Sequence, residues 1–115
     1  MKIDKSNIHK YINGDTLYCS SRDITSIEDI PDHITRLYCF NNQLTSLPKL
    51  PNGLIWLSCS NNKLTSLPKL PDSLIYLSCH KNKLTSYPES GDDKQWFMNH
   101  NKLLNRINII NKIYL

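Results

Sequence analysis

A cysteine returns every 20 residues along most of this chain, and each cysteine lies in the same pattern of neighbours. The four are Cys19, Cys39, Cys59 and Cys79. The pattern is LYCFNNQLTSLPKLP from Leu37, LSCSNNKLTSLPKLP from Leu57 and LSCHKNKLTSYPES from Leu77, with a weaker copy, LYCSSRDITSIEDIP, from Leu17. A fixed period of about 20 to 50 residues is typical of stacked supersecondary units that cannot bury their apolar faces alone. The sequence therefore predicts an α/β repeat solenoid whose interior is committed to stacking, so function should lie on a surface.

Each copy contains one short segment that alternates between inward and outward positions. Leu37 and Cys39 point inward and Tyr38 points outward, as in a strand with one buried face. Strands that recur at a constant spacing are expected to be parallel neighbours, about four in all. The return paths contain proline, which fixes φ and lacks the N–H that a helix needs, at Pro48, Pro51, Pro68 and Pro71. We therefore predict a parallel concave sheet and an extended convex side.

The chain divides into three predicted parts. Residues 1–13 form an N-terminal cap, residues 14–90 form four 20-residue repeats, and residues 91–115 form a C-terminal cap. In the first part Ser6 is expected to cap a short helix through Ile8, Tyr11 and Ile12 that ends at Gly14.

The last part carries apolar residues at spacings of three, four and seven, which predict an amphipathic helix over about 92–113 docked across the last strand. These residues are Trp96, Phe97, Leu103, Leu104, Ile107, Ile110 and Tyr114. Asp92 and Asp93 at its start would favour the positive end of the helix dipole. The alternative is a decayed fifth repeat over 96–103.

Asn42, Asn62 and Asn82 occupy the corner at which each strand ends. A buried corner leaves backbone donors and acceptors without water, and an amide side chain offers both kinds of group. We therefore expect a structural ladder in which these amides bond the backbone of neighbouring turns. The first copy has Arg22 at this position, so the ladder should begin with the second copy.

The four cysteines are predicted to be core residues that extend this structural ladder. Neighbouring strands lie about 4.8 Å apart, yet parallel side chains do not converge to the roughly 3.8 Å between Cβ atoms that a disulfide prefers. Nor does a line of thiols converge around one metal ion. The cysteines should therefore be buried, reduced and unreactive, with no metal and no cofactor bound.

The pattern IxxLxCxxNxL from Ile34 to Leu44, and LxxLxCxxNxL from Leu54 to Leu64 and from Leu74 to Leu84, resembles the leucine-rich repeats. The short form with Leu-Pro-x-Leu-Pro returns is similar to the repeats of bacterial effector ubiquitin ligases and of large DNA viruses. The resemblance implies a short right-handed coil that binds other proteins. The effectors add a catalytic domain with a nucleophilic cysteine, for which this chain has no room, so the resemblance does not imply ligase activity.

The outward positions of the strands are the predicted binding surface, because they are not needed for core packing. They are rich in Trp, Tyr and Arg, the types that dominate binding hot spots. The candidate residues are Arg36, Tyr38, Phe40, Trp56, Tyr76, His80 and Lys81. The sequence thus favours a non-enzymatic protein- or peptide-binding module, although aromatic residues also favour strands for structural reasons alone.

Other functions receive less support from the sequence. His80 with Ser60 and Ser78 has no acidic partner in the outward columns to orient the imidazole, so no catalytic residue is predicted. A formal net charge of +4 without blocks of like charge makes nucleic acid the less favoured partner. No apolar run is long enough to cross a bilayer, and no signal peptide stands out, so a cytoplasmic location is expected. Self-assembly into a homodimer or a scaffold remains an alternative.

Overall fold

The computed structural model describes residues 1–85. The predicted helix over 92–113, the alternative fifth repeat and the end of the fourth repeat lie outside these residues. The strands are β1 Lys2–Ile3, β2 Ile12–Asn13, β3 Thr16–Tyr18, β4 Ser26–Ile27, β5 Arg36–Tyr38, β6 Trp56–Ser58 and β7 Tyr76–Ser78, and a 3-10 helix spans Ile8–Tyr11.

The main sheet has the order β2-β3-β5-β6-β7. The last four of these strands are parallel, and their register matches the sequence period, with Leu17 opposite Leu37, Leu37 opposite Leu57 and Leu57 opposite Leu77. The predicted parallel sheet built from 20-residue units is therefore confirmed. The sheet also contains the antiparallel strand β2, which pairs with β3 through the turn at Gly14 and which the sequence did not predict.

The core lies behind the sheet, between the strands and the return segments. Leu37, Leu57 and Leu77 are fully buried, and so are Ile34 and Leu54, which begin their repeats. Within residues 1–85 the return segments after β5 and β6 contain no helix. Proline accounts for this, because it lacks the backbone N–H that a helical hydrogen bond needs and its ring fixes φ.

A second, two-stranded sheet lies on the return side of the first repeat. Strand β1 pairs in parallel with β4, with Ile3 opposite Ile27, and Ile3 is fully buried. Backbone bonds extend the pairing, because the amide of Glu28 donates to the carbonyl of Ile3 at 2.9 Å. The N-terminal residues therefore belong to the first repeat's packing, and Glu28, whose amide makes this bond, stands where the later repeats have Pro48 and Pro68.

The prediction that Ser6 caps a helix is wrong. The residue at the N-cap position is Asn7, which makes no side-chain cap bond, and the 3-10 helix ends at Tyr11 because Ile12 enters strand β2. The Ser6 hydroxyl and amide instead donate to the carboxylate of Asp4. These bonds lower the pKa of Asp4, with the Ser6 hydroxyl as the largest cause.

Candidate interaction surface

Four aromatic side chains form a continuous row across the outward face of the parallel strands. We call Tyr18, Tyr38, Trp56 and Tyr76 the aromatic row. Tyr18 stacks on Tyr38 with ring centroids 4.7 Å apart, and Trp56 stacks on Tyr76 at 3.9 Å. Tyr38 and Trp56 join the two stacks in a tilted contact at 6.3 Å. The sequence placed these residues outward, and the structure brings them into mutual contact.

The register of the strands explains why the row crosses the sheet diagonally. Tyr38 lies opposite Ser58, and Trp56 lies opposite Arg36, so Tyr38 and Trp56 are diagonal neighbours. Large side chains reach across such a diagonal, whereas small ones do not. Because Ser58 is small, it leaves space in which the Trp56 indole and the Tyr38 phenol contact each other.

The row is partly buried by its own stacking. Tyr18 at one end is 52% exposed, while Tyr38, Trp56 and Tyr76 are half-buried. The indole Nε1 of Trp56 is buried and has no hydrogen-bond partner among the residues that the structure describes. An unpaired buried donor costs about 1–3 kcal/mol of stability. A phenylalanine at this position has no such donor and would avoid that cost.

Small outward residues are buried beneath the large ones. Ser58, Ser60 and Ser78 are 8%, 9% and 3% exposed. The expectation that outward positions are not needed for packing is therefore wrong for these residues, because neighbouring rings cover short side chains on a sheet. The Oγ of Ser78 lies 3.2 Å from Nδ1 of the half-buried His80, and the amide of Phe40 donates to Ser20 Oγ at 3.1 Å.

Basic side chains flank the aromatic row. The Arg36 guanidinium lies over the Trp56 ring, 5.8 Å from its centroid, and Arg22 lies over Tyr11 at 5.1 Å. Cation–π contacts of this kind contribute about 0.5–1 kcal/mol at exposed sites. Arg36 and Lys81 are exposed on the outward side, together with the partly exposed aromatic row.

The corner asparagines bond two consecutive repeats. The Asn62 amide nitrogen donates to the carbonyls of Cys39 at 3.0 Å and Cys59 at 3.1 Å, and its oxygen accepts from the amide of Leu44 at 3.0 Å. Asn42 and Asn82 make the equivalent bonds. The Asn42 oxygen also accepts from the amide of Arg22, which lies at the ladder position of the first repeat.

A second row of polar residues lies beside this ladder, at outward positions whose backbone conformation and mutual hydrogen bonds were not predicted from the sequence. Ser21, Asn41, Asn61 and Lys81 all have φ between 55° and 57°, in the left-handed region. The Asn61 amide donates to the Asn41 oxygen at 2.6 Å, and Asn41 donates to Ser21 Oγ at 3.4 Å. Asparagine tolerates positive φ better than most residues. The Asn-Asn pair in two of the copies is therefore the sequence feature that could have predicted this conformation.

The cysteines line the inward side of the strands and are 0–2% exposed. None of these four residues forms a disulfide. Burial raises the pKa of the Cys19 thiol to about 12 despite the nearby positive charge of Arg22. Burial, reinforced by neighbouring cysteines, also raises the pKa values of Cys39 and Cys59. Thiols in this state react slowly, since the thiolate is the nucleophile.

Neither a metal-binding cluster nor a membrane-spanning helix occurs in residues 1–85. No group of three or more His, Cys, Asp or Glu side chains is arranged to hold a metal ion there. No helix in that part of the chain is long and apolar enough to span a membrane.

Solved structures of other proteins are similar to this chain. The chain is similar to a structure described as a Shigella effector LRR domain, with 30% sequence identity, a TM-score of 0.59 and coverage of 79% of this chain. The chain spans 44% of the length of that structure. No protein-family model matches the sequence, and no curated protein matches it. The described residues therefore have a leucine-rich-repeat-like fold.

Proposed function

We propose that this leucine-rich-repeat-like chain is a non-enzymatic protein-interaction module that binds a protein or peptide through the aromatic row. The observation that carries the proposal is the continuity of the row, which spans all four parallel strands and remains partly exposed. The binding surface consists of the row together with Arg36, Phe40, His80 and Lys81.

Two further observations support recognition over a purely structural role. A solved structure with a similar fold is a Shigella effector LRR domain, and leucine-rich repeats generally bind proteins. In addition, the buried and unpaired Nε1 of Trp56 is a cost to stability that phenylalanine would avoid. Trp is also among the residue types enriched at binding hot spots.

The proposal extends to the finer architecture. We infer a short right-handed solenoid of the 20-residue type with a concave sheet, in which residues 1–13 and 91–115 cap the repeats over 14–90. A helix over about 92–113 would protect the open edge that a terminal repeat otherwise leaves. A reducing compartment such as the cytoplasm suits four cysteines that form no disulfide.

The test is selection of binders from a displayed library of random peptides, followed by measurement of their affinity for two variants. Trp56→Ala with Tyr76→Ala removes one stack of the row, while Thr45→Ala with Thr65→Ala changes exposed residues at matched return positions of two repeats. We expect the first variant to lose at least about tenfold in affinity, or 1.4 kcal/mol, and the second to bind as the wild type does.

Stability must be measured in parallel, because the stack also contributes to folding. An aromatic pair is worth about 0.5–1.5 kcal/mol beyond the area that it buries, so urea denaturation should show a lower but cooperative transition for the first variant. If binders retain their affinity for that folded variant, the aromatic row is not the binding surface. Light scattering on the unliganded chain tests the alternative, in which the outward face joins two copies.

A further inference from the structure

Charge is distributed unevenly between the outward side and the return side of the repeats. The strands and corners of the second to fourth repeats, over 36–43, 56–63 and 76–83, contain four cations and no carboxylate. These cations are Arg36, Lys63, Lys81 and Lys83, and all four are exposed. The return segments over 24–35, 44–55 and 64–75 contain four acidic residues, Glu28, Asp29, Asp32 and Asp72, and two lysines.

Two of these cations, Lys63 and Lys83, have no carboxylate partner within residues 1–85. Arg36 interacts electrostatically with Asp15 and helps to lower the pKa of that carboxyl. Two carboxylates lie at the first repeat's end of this side. Asp15 accepts from the Thr35 hydroxyl at 2.8 Å, which is the largest cause of its lowered pKa, and Asp23 lies beside the N-terminal ammonium, which donates to its carbonyl at 3.0 Å. The strands and corners over 36–43, 56–63 and 76–83 therefore carry a net positive charge.

The orientation of the rings adds to this positive character. Tyr18 and Tyr38 are parallel to within 9°, and their 4.7 Å separation is the spacing between strands, so their faces point along the sheet. Trp56 and Tyr76 are arranged in the same way, with 16° between their planes. The rims of the rings consequently point away from the sheet. The rim of an aromatic ring carries the positive part of its quadrupole, and the phenols add hydroxyl donors.

We propose that the occupant of this surface is an acidic peptide segment, in which apolar side chains contact the aromatic row and Asp or Glu carboxylates contact the flanking cations. This inference rests on the proposed function and specifies its partner. Charge complementarity selects the partner, because the strands and corners over 36–43, 56–63 and 76–83 contain cations and no carboxylate, so they attract an acidic segment and repel a basic one.

Single-stranded nucleic acid fits the same charge less well. Bases bind to protein aromatics by stacking on open ring faces. In the aromatic row each ring has one face covered by its stacked neighbour, and Arg36 lies over the Trp56 ring as well. A nucleotide chain could contact the cations, but its bases would find no continuous run of open ring faces on which to stack.

The first arm of the test is the composition of the peptides selected from the displayed library. We expect Asp and Glu to be enriched over the unselected library and Lys and Arg to be depleted. Selected peptides with no excess of acidic residues would overturn the inference. If their binding is nevertheless lost in the Trp56→Ala/Tyr76→Ala variant, the proposed function stands while the acidic partner does not.

The second arm uses charge reversal with a matched control. Arg36→Glu with Lys63→Glu reverses two cations of the outward side, and Lys49→Glu with Lys69→Glu reverses two exposed lysines of the return side. Both variants have the same change in net charge. We expect a synthetic acidic peptide from the selection to bind the first variant at least about tenfold more weakly and the second as it binds the wild type. Equal losses in both variants would overturn the inference, since only overall charge would then matter.

The third arm compares the acidic peptide with oligothymidine in one competition assay. We expect the peptide to remain bound when oligothymidine is added in excess. Displacement by oligothymidine that depends on the aromatic row would overturn the inference and favour a nucleic-acid partner. Direct binding of the Arg36→Gln/Lys63→Gln variant should be intermediate, since neutral side chains remove attraction without adding repulsion.

Discussion

The two consecutive asparagines at the corner of a repeat have different structural roles. Asn61 is exposed, adopts φ of 57° and donates to Asn41, whereas Asn62 is 8% exposed and bonds the backbone of two repeats. The role of Asn62 follows from the need to satisfy buried backbone groups. The left-handed conformation at the preceding position belongs to the corner itself, because Ser21 and Lys81 adopt it too.

Replacing Asn62 with alanine should lower the free energy of unfolding by about 3 kcal/mol or more, because several buried backbone groups lose their partner at once and each costs about 1–3 kcal/mol. The groups affected are the carbonyls of Cys39, Cys59 and Ser60 and the amide of Leu44. Urea denaturation measures the change.

The control for this variant is Asn52→Ala, which removes an exposed amide in a turn of the return side. Surface changes of this kind usually stay within about 0.5 kcal/mol. Equal effects of the two substitutions would show that the ladder bonds contribute nothing beyond those available in water.

The four parallel strands of the main sheet could be predicted from the sequence because each one is marked by an alternating leucine and cysteine. The two-residue strands β1, β2 and β4 carry no such alternation. Their conformation is set by pairing with a distant segment, and intrinsic strand propensity depends strongly on such context. The outward location of the aromatic residues was likewise predictable, but the diagonal contact of Tyr38 with Trp56 required the register and the side-chain orientations.

Strand β1 gives a test of whether the N-terminal segment is part of the folded unit. Ile3→Ala should lower the free energy of unfolding by about 2–5 kcal/mol, the usual cost of truncating a fully buried isoleucine. Lys2→Ala, in the same strand on its exposed side, is the matched control and should have little effect. A small effect of Ile3→Ala in urea denaturation would mean that β1 separates from the repeats at low cost.

The molecule as a whole is organised by contacts between neighbouring repeats. Each parallel strand pairs with the strand 20 residues before or after it, and each corner asparagine bonds its own repeat and the preceding one. In such an architecture stability is approximately a sum of repeat terms and nearest-neighbour terms. The sequence period was sufficient to predict this organisation, whereas the surface charge pattern acquires meaning only once the repeats are aligned in space.

Removing residues 41–60 should therefore preserve the fold. The deletion takes out one period and joins Phe40 to Asn61, so the corner and the register are both restored. We expect a cooperative urea transition with a smaller m value, since m scales with the surface exposed on unfolding. Circular dichroism should retain the strand signal.

Removing residues 46–55 is the matched control for this prediction. This deletion is shorter, yet it takes out half a period, so Leu57 and Cys59 no longer align with Leu37 and Cys39. We expect an unfolded chain. A folded half-period variant, or an unfolded full-period variant, would contradict the nearest-neighbour description.

The constant register also bears on how a protein like this changes over generations. A duplication or loss of the coding segment for one whole repeat keeps the reading frame and places every leucine, cysteine and corner asparagine back in an equivalent site. Such events lengthen or shorten the outward face by one strand without new core mutations. Copying errors in the gene thereby become a supply of longer and shorter binding surfaces, on which substitutions at the outward positions can then act.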